Sequence, residues 1–219
     1  MDAAGKLSVV AIMVFIATIS GFVSADPDML QDVCLADLNS AVTVNGFVCK
    51  ASFSPSDFFF AGLALAQPTN NLLGSTVTMA NVTEFPGLNT LGVAMARIDF
   101  APGGLNPPHA HPRASEILFV LYGELDAGFI TTANVLVPMT IKQGDIFTFP
   151  KGLVHFQINN GKGPAAALAA FDSQNPGLVS IAFTLFTTNP PVSNSVLSKA
   201  FQISYEEVDA IRAKLGGNP

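Results

Sequence analysis

Charge is scarce in this chain. Asp, Glu, Lys and Arg make up 12% of its 219 residues while apolar residues reach 49%; a soluble domain ordinarily carries about a quarter charged residues. So little charge covers a monomer's surface poorly and points to faces buried between subunits, with a greasy monomer as the alternative. Basic runs are missing and the formal net charge is −6, which disfavours a nucleic-acid partner because nothing is arranged to neutralise phosphates. Neither Gly-x-Gly-x-x-Gly nor Gly-x4-Gly-Lys-[Ser/Thr] occurs, so no nucleotide cofactor is expected. Tryptophan is absent, but eighteen phenylalanines suit a thick apolar interior. Internal repeats and low-complexity tracts are also lacking.

The first 25 residues read as a removable leader. Lys6 precedes an apolar stretch from Leu7 to Val23, and Val23-Ser24-Ala25 supplies the small residues a signal peptidase needs before Asp26. The alternative is an uncleaved membrane anchor, but Ser8, Thr18, Ser20 and Gly21 interrupt the run and it barely reaches bilayer length. No later segment could span a membrane, so no membrane association is expected after cleavage. Cleavage leaves 194 residues, 26–219, enough for one generous domain and thin for two. Export places the two cysteines, Cys34 and Cys49, in an oxidising compartment where they could close a 16-residue loop. Two buried free thiols are the alternative; metal ligation is poorer, with no third soft ligand nearby. Asn81-Val82-Thr83 is the sole glycosylation sequon and could carry a glycan on a surface turn.

Short β-rich runs broken by Gly, Pro or Asn recur from Asn71 to Phe186 at spacings near ten residues, which argues for an all-β sandwich or barrel. The expected strands are 74–80, 91–100, 116–122, 124–132, 134–142, 145–149, 153–158, 165–171 and 178–186. In 91–100, Val93, Met95, Arg97 and Asp99 share one face and Ala94, Ala96, Ile98 and Phe100 the other. Arg97 and Asp99 could form an ion pair or stay solvated separately. Two helices follow, over 194–201 and after Ser204, where Ser204-Tyr205-Glu206-Glu207 has capping-box form ahead of Val208, Ile211 and Leu215. Their apolar stripe must be covered by the barrel or by a neighbouring subunit.

Histidine is rarer still, and all three fall where one metal site would want them. His109 and His111 are two apart, so on an extended segment both rings project from one face. Glu116 lies five beyond His111, an odd offset that a continuous strand would send to the opposite face; Pro112 provides the break that lets it join. His155 follows the turn Pro150-Lys151-Gly152, which could return it beside the first pair. Lys151 itself reads as a solvated turn residue.

Gly103 to Gly123 reads G-x5-H-x-H-x4-E-x6-G, and Gly144 to Asn159 reads G-x5-P-x-G-x2-H-x3-N. Together these resemble the two motifs of the cupin superfamily. Phe85-Pro86-Gly87-Leu88-Asn89-Thr90-Leu91-Gly92, Arg97-Ile98-Asp99-Phe100-Ala101-Pro102-Gly103-Gly104 and Asn106-Pro107-Pro108-His109 resemble the germin and germin-like branch, as does Asn45-Gly46-Phe47-Val48-Cys49-Lys50. The resemblance spans essentially the whole mature chain, cysteine pair included.

It implies a single cupin, a jelly-roll-like β-barrel with C-terminal helices, exported to the plant apoplast and assembled as a homohexamer. It also implies that His109, His111, Glu116 and His155 hold Mn(II). One carboxylate with open water positions suits octahedral Mn(II) or Fe(II), although copper or zinc would compete on intrinsic affinity. Two activities recur in the family: dismutation of superoxide to dioxygen and hydrogen peroxide, and oxidation of oxalate. Asn106 matches one polar residue that true germins place by the site; the other, an Asn before the Arg of the Arg-x-Asp-Phe segment, is Ala96 here. Ala has no amide to orient oxalate, and an underpaired substrate oxygen costs about 1–3 kcal/mol in a dry pocket. Dismutation is therefore favoured over oxalate oxidation, and a non-enzymatic cell-wall or ligand-binding role is the alternative of a different class. Asn159, ending the second motif, reads as a turn stabiliser.

Overall fold

A computed structural model describes residues 31–43 and 46–216. The leader and its cleavage point lie outside the described residues, as does Asn45. Ten strands are formed among those described: β1 (Ser75–Ala80), β2 (Ala94–Phe100), β3 (Leu105–Ala110), β4 (Glu116–Tyr122), β5 (Glu124–Ile130), β6 (Leu136–Lys142), β7 (Ile146–Phe149), β8 (His155–Ile158), β9 (Ala165–Phe171) and β10 (Val179–Ser180). They make two antiparallel five-stranded sheets, ordered β1-β2-β9-β4-β7 and β10-β3-β8-β5-β6, that face each other around one core. The all-β class with C-terminal helices is as expected.

Period-two alternation decides what enters that core. In β4, Glu116, Leu118 and Val120 are buried while Ile117 and Phe119 face outward. In β2, Ala94, Ala96, Ile98 and Phe100 point inward. The opposite face carries Arg97 and Asp99, which form a buried ion pair at 2.9 Å. A strap of residues 63–67 covers them: Arg97 Nη1 donates to the carbonyls of Leu63 and Ala64, and the Gln67 amide donates to Asp99 Oδ2 at 3.0 Å. β9 lies between β2 and β4, and its alanines leave the interior to Phe100, Leu118 and, from β7, Phe149.

One expected strand is overturned. Within 178–186 only β10 is extended, and Ile181–Phe186 forms a helix, α1. The apolar run Ile-Ala-Phe-Thr-Leu-Phe fits either period, and burial of Phe186 among helices selects the helical one. α2 (Asn194–Phe201) and α3 (Tyr205–Leu215) form as expected. The capping box closes in both directions, the Glu207 amide donating to Ser204 Oγ and the Ser204 amide to Glu207 Oε2. The helical stripe is covered by the helices themselves: Phe186, Leu197 and Val208 form a second small core with Leu185, Ile203 and Ile211 around them. Arg212, buried in that cluster, donates to Asn194 Oδ1 and the Val192 carbonyl.

Cys34 and Cys49 are joined by a disulfide. The Asn89 side-chain amide donates to Cys34 Sγ and to the Phe47 carbonyl, and the Ala36 amide to the Pro86 carbonyl, so the clip fastens the N-terminal segment to the loop before β2.

Candidate metal centre

Three chain segments, β3 with the turn that follows it, β4 and β8, deliver four ligating side chains to one point. β3 and β8 pair regularly at Leu105↔Ile158 and Asn106↔Gln157, then slip by one residue so that His109 lies opposite His155. The slip is a bulge at Pro107-Pro108, where proline cannot donate to the ladder. Asn106 and His109 are three apart, yet the extra residue lets both face inward. His111 follows the end of β3, and its carbonyl accepts from the Gly152 amide at 3.0 Å, tying it to the turn before His155. The chain then turns at Pro112-Arg113 and crosses to the other sheet, where Glu116 opens β4. The odd offset between His111 and Glu116 is thus resolved by a change of sheet: the carboxylate arrives from the wall opposite the imidazoles.

Each ring is held by its δ nitrogen. His109 Nδ1 donates to the Pro107 carbonyl at 2.7 Å, His111 Nδ1 to that of Gly177 at 2.6 Å, and His155 Nδ1 to that of Leu153 at 2.8 Å. This turns each Nε2 inward, where a ring without a second proton presents a lone pair. Phe149 stacks on His155 with ring centroids 4.4 Å apart, and Phe171 meets His111 edge-on at 4.8 Å. The Nε2 atoms of His111 and His155 each lie 3.1 Å from Glu116 Oε2. One ligand atom from each of the four residues falls within 4.8 Å of all the others, and all four residues are buried.

Lone pairs converging in a buried site repel unless protons or a cation lie among them. Donors about 2.0–2.2 Å from a common ion and at right angles to one another lie roughly 2.8–3.1 Å apart, so the two Nε2–Oε2 separations suit such an ion. The residues therefore fit a divalent metal, and they form a metal-binding site of three histidines and one glutamate. The electrostatics agree. Burial first, and then repulsion from His155, pull the His109 ring down to about 4, against the opposing effect of its bond to Pro107. Burial would raise the Glu116 carboxyl, but the hydrogen bonds and charges of His111 and His155 outweigh it and bring it to about 2. At neutral pH the site thus offers an anionic carboxylate and, at His109, a neutral ring.

A cavity of about 350 Å³ opens onto His109, His111 and Glu116. Asn106 and Ala96 both line it, and so does the sequon residue Asn81, whose Oδ1 accepts from the Thr83 amide and hydroxyl. Asn106 Nδ2 donates to Gln157 Oε1 at 2.7 Å. Sequence reasoning misses Gln157; it is fully buried two residues after His155 on the same inward face, and its Nε2 has no hydrogen-bond partner. Period two in β8 is the signal that could find it. Asn159 donates to the carbonyls of Ala101 and Gly163 and accepts from the Gly161 amide, a turn stabiliser as expected. Lys151 is exposed in its turn.

The cupin family profile matches residues 61–209. Germin-like protein 5-1 of Oryza sativa subsp. japonica is 58% identical over 208 residues, covering 95% of this chain and 94% of the relative. The chain is a germin-like member of the cupin family. Nectarin-1 of Nicotiana langsdorffii x Nicotiana sanderae is 61% identical to this germin-like chain over 193 residues, covering 87% of it and 83% of the relative. A structure of recombinant oxalate oxidase in complex with glycolate superposes with a TM-score of 0.83 at 46% identity, covering 88% of this chain and 100% of that one. No helix among the described residues is long and apolar enough to cross a membrane.

Proposed function

We propose that this germin-like protein is a secreted manganese protein of the plant extracellular matrix that dismutates superoxide: two superoxide anions and two protons give dioxygen and hydrogen peroxide. The observation that carries the reading is the convergence of three carbonyl-anchored imidazoles and one carboxylate at the floor of an open cavity. His109, His111, Glu116 and His155 would hold the ion. Bound manganese would supply a one-electron redox couple at an open coordination position. The protein's part is to keep the four donors in place, each ring locked by its δ nitrogen, and to leave a path for a small anion. Among the cavity-lining residues, only the ligands themselves titrate, so the two protons come from water at the mouth. Asn106 orients what enters.

Oxalate oxidation is the second reading, favoured by the likeness to oxalate oxidase. The cavity wall opposes it: Ala96 offers oxalate a methyl group in place of an amide. A non-enzymatic cell-wall or ligand-binding role is the third. We further propose residues 26–219 as a single mature domain, removal of residues 1–25, a glycan on Asn81, and a homohexamer in which outward Ile117, Phe119 and Ile146 are covered by neighbouring copies. Metal-stripped protein reloaded with Mn(II) should dismutate superoxide well above an equal amount of free Mn(II). Turnover no greater than that of the free ion would reject the enzyme in favour of a binding protein. Intact mass and sedimentation of the secreted protein test the cleavage, the glycan and the assembly.

A further inference from the structure

The three imidazoles are not anchored alike. His109 Nδ1 donates to the carbonyl of Pro107 and His155 Nδ1 to that of Leu153, in each case two residues back along the same segment. A segment that forms at all brings such an anchor with its ring. His111 relies on a distant one: its Nδ1 donates to the Gly177 carbonyl, 66 residues away in sequence.

Gly177 lies between β9 and β10, in a stretch that belongs to neither strand. Asn175, Pro176, Gly177 and Leu178 line the cavity. Backbone outside a ladder has to find its partners elsewhere, and here Arg113 supplies them. Its backbone amide donates to the Pro176 carbonyl at 3.1 Å and its Nε to the Asn175 carbonyl at 2.6 Å. The carbonyls of three successive residues are thus taken by Arg113 Nε, the Arg113 amide and His111 Nδ1. The guanidinium also lies against Gly177, so close that a Cβ there would stand 2.9 Å from Nη2, and the glycine's φ of +70° disfavours a side chain as well.

We propose that Arg113 is a positioning residue for the metal centre: by clamping residues 175–177 it sets the carbonyl that aims His111 Nε2 at the cation. His111 is then the ligand whose place depends on the cavity rim, whereas His109 and His155 keep theirs without it. This rests on the reading of the four residues as a metal centre and on neither activity.

Charge gives the test its sign. Arg113 is exposed and positive, and removing a positive charge near a cation would by Coulomb's law tighten the cation's binding; lost positioning weakens it. Equilibrium dialysis of the intact protein should show the Mn(II) affinity of Arg113→Ala falling about tenfold, the lower end of the range for groups behind a metal ligand. The electron paramagnetic resonance spectrum at saturating Mn(II) should change as well. Gly177→Ala, whose methyl group displaces the guanidinium, should shift both measurements in the same direction. In a His111→Gln background, Arg113→Ala should cost less than about twofold, because the ring it aims is gone. Affinity at or above the parent's in either single variant overturns the inference. So does an equal loss in both backgrounds, which would mark a general loosening of the fold. A parent protein that binds no Mn(II) rejects the metal centre and this inference together.

Discussion

His109 and His155 lie directly opposite each other across the β3–β8 ladder, with ring centroids 4.1 Å apart. An unbroken register continuing from Asn106↔Gln157 would have set His109 opposite Val154 and turned its ring away from the core. The one-residue slip at Pro107-Pro108 corrects the register, so two prolines that weaken the strand are what place the ligand.

Glu116 is the only anionic donor of the site. Glu116→Gln keeps its shape and removes its charge, so Mn(II) affinity should fall by more than the about 10–100-fold typical of losing an outer hydrogen-bond partner. Metal analysis after equilibrium dialysis reads the effect, and an unchanged far-ultraviolet spectrum shows that the barrel survives. Affinity equal to the parent's would remove Glu116 from the ligand set.

Ala96 tests the choice between the two activities. Ala96→Asn places an amide on the cavity wall; recovering about 1.4 kcal/mol of substrate hydrogen bonding would raise oxalate-dependent peroxide release about tenfold. A parent protein already as active on oxalate as the variant would contradict the role assigned to Ala96.

Acid should destabilise the metal-stripped protein. The His109 ring has its folded pKa brought from 6.5 down to about 4, so the unfolded chain takes up that proton first. Its stabilising contribution is complete above about pH 6.5 and is lost as pH falls toward 4. Glu116, lowered from 4.5 to about 2, acts in the same direction at lower pH. Unfolding midpoints should decline between pH 7 and 4, and less steeply in His109→Gln. A flat profile would contradict the burial argument for His109.

The Cys34–Cys49 bridge closes a loop of sequence separation 15, for which the chain-entropy model gives about 3 kcal/mol. Denaturant unfolding of the Cys34→Ala/Cys49→Ala protein should show a loss of that order, with metal content retained because the clip lies away from the ligands. Equal stability would mean that Asn89 and the Ala36–Pro86 hydrogen bond already hold the segment.

The site was largely legible because its donors are so rare. Three histidines leave few ways to build a metal centre, and Pro112 announced the bend that admits Glu116. Fold class followed from turn spacing, and both terminal helices from Ser193 and the Ser204 capping box. The misses have physical reasons. Residues 181–186 suit either period, and their helical form is decided by contact with Leu197 and Val208, which are distant in sequence. β3 hid behind its two prolines. The burial of Arg97 and Asp99 depends on a strap some thirty residues upstream, and Gln157 matters through its pairing with Asn106 across two strands.

Since the donors come from both walls of the barrel and His155 is the last of them in the chain, no nascent fragment ending before residue 155 of the 219 carries the full set. Cation choice is therefore deferred until synthesis is well advanced and the two sheets have closed. Whichever compartment hosts that closure is the first to offer ions to the finished set of donors.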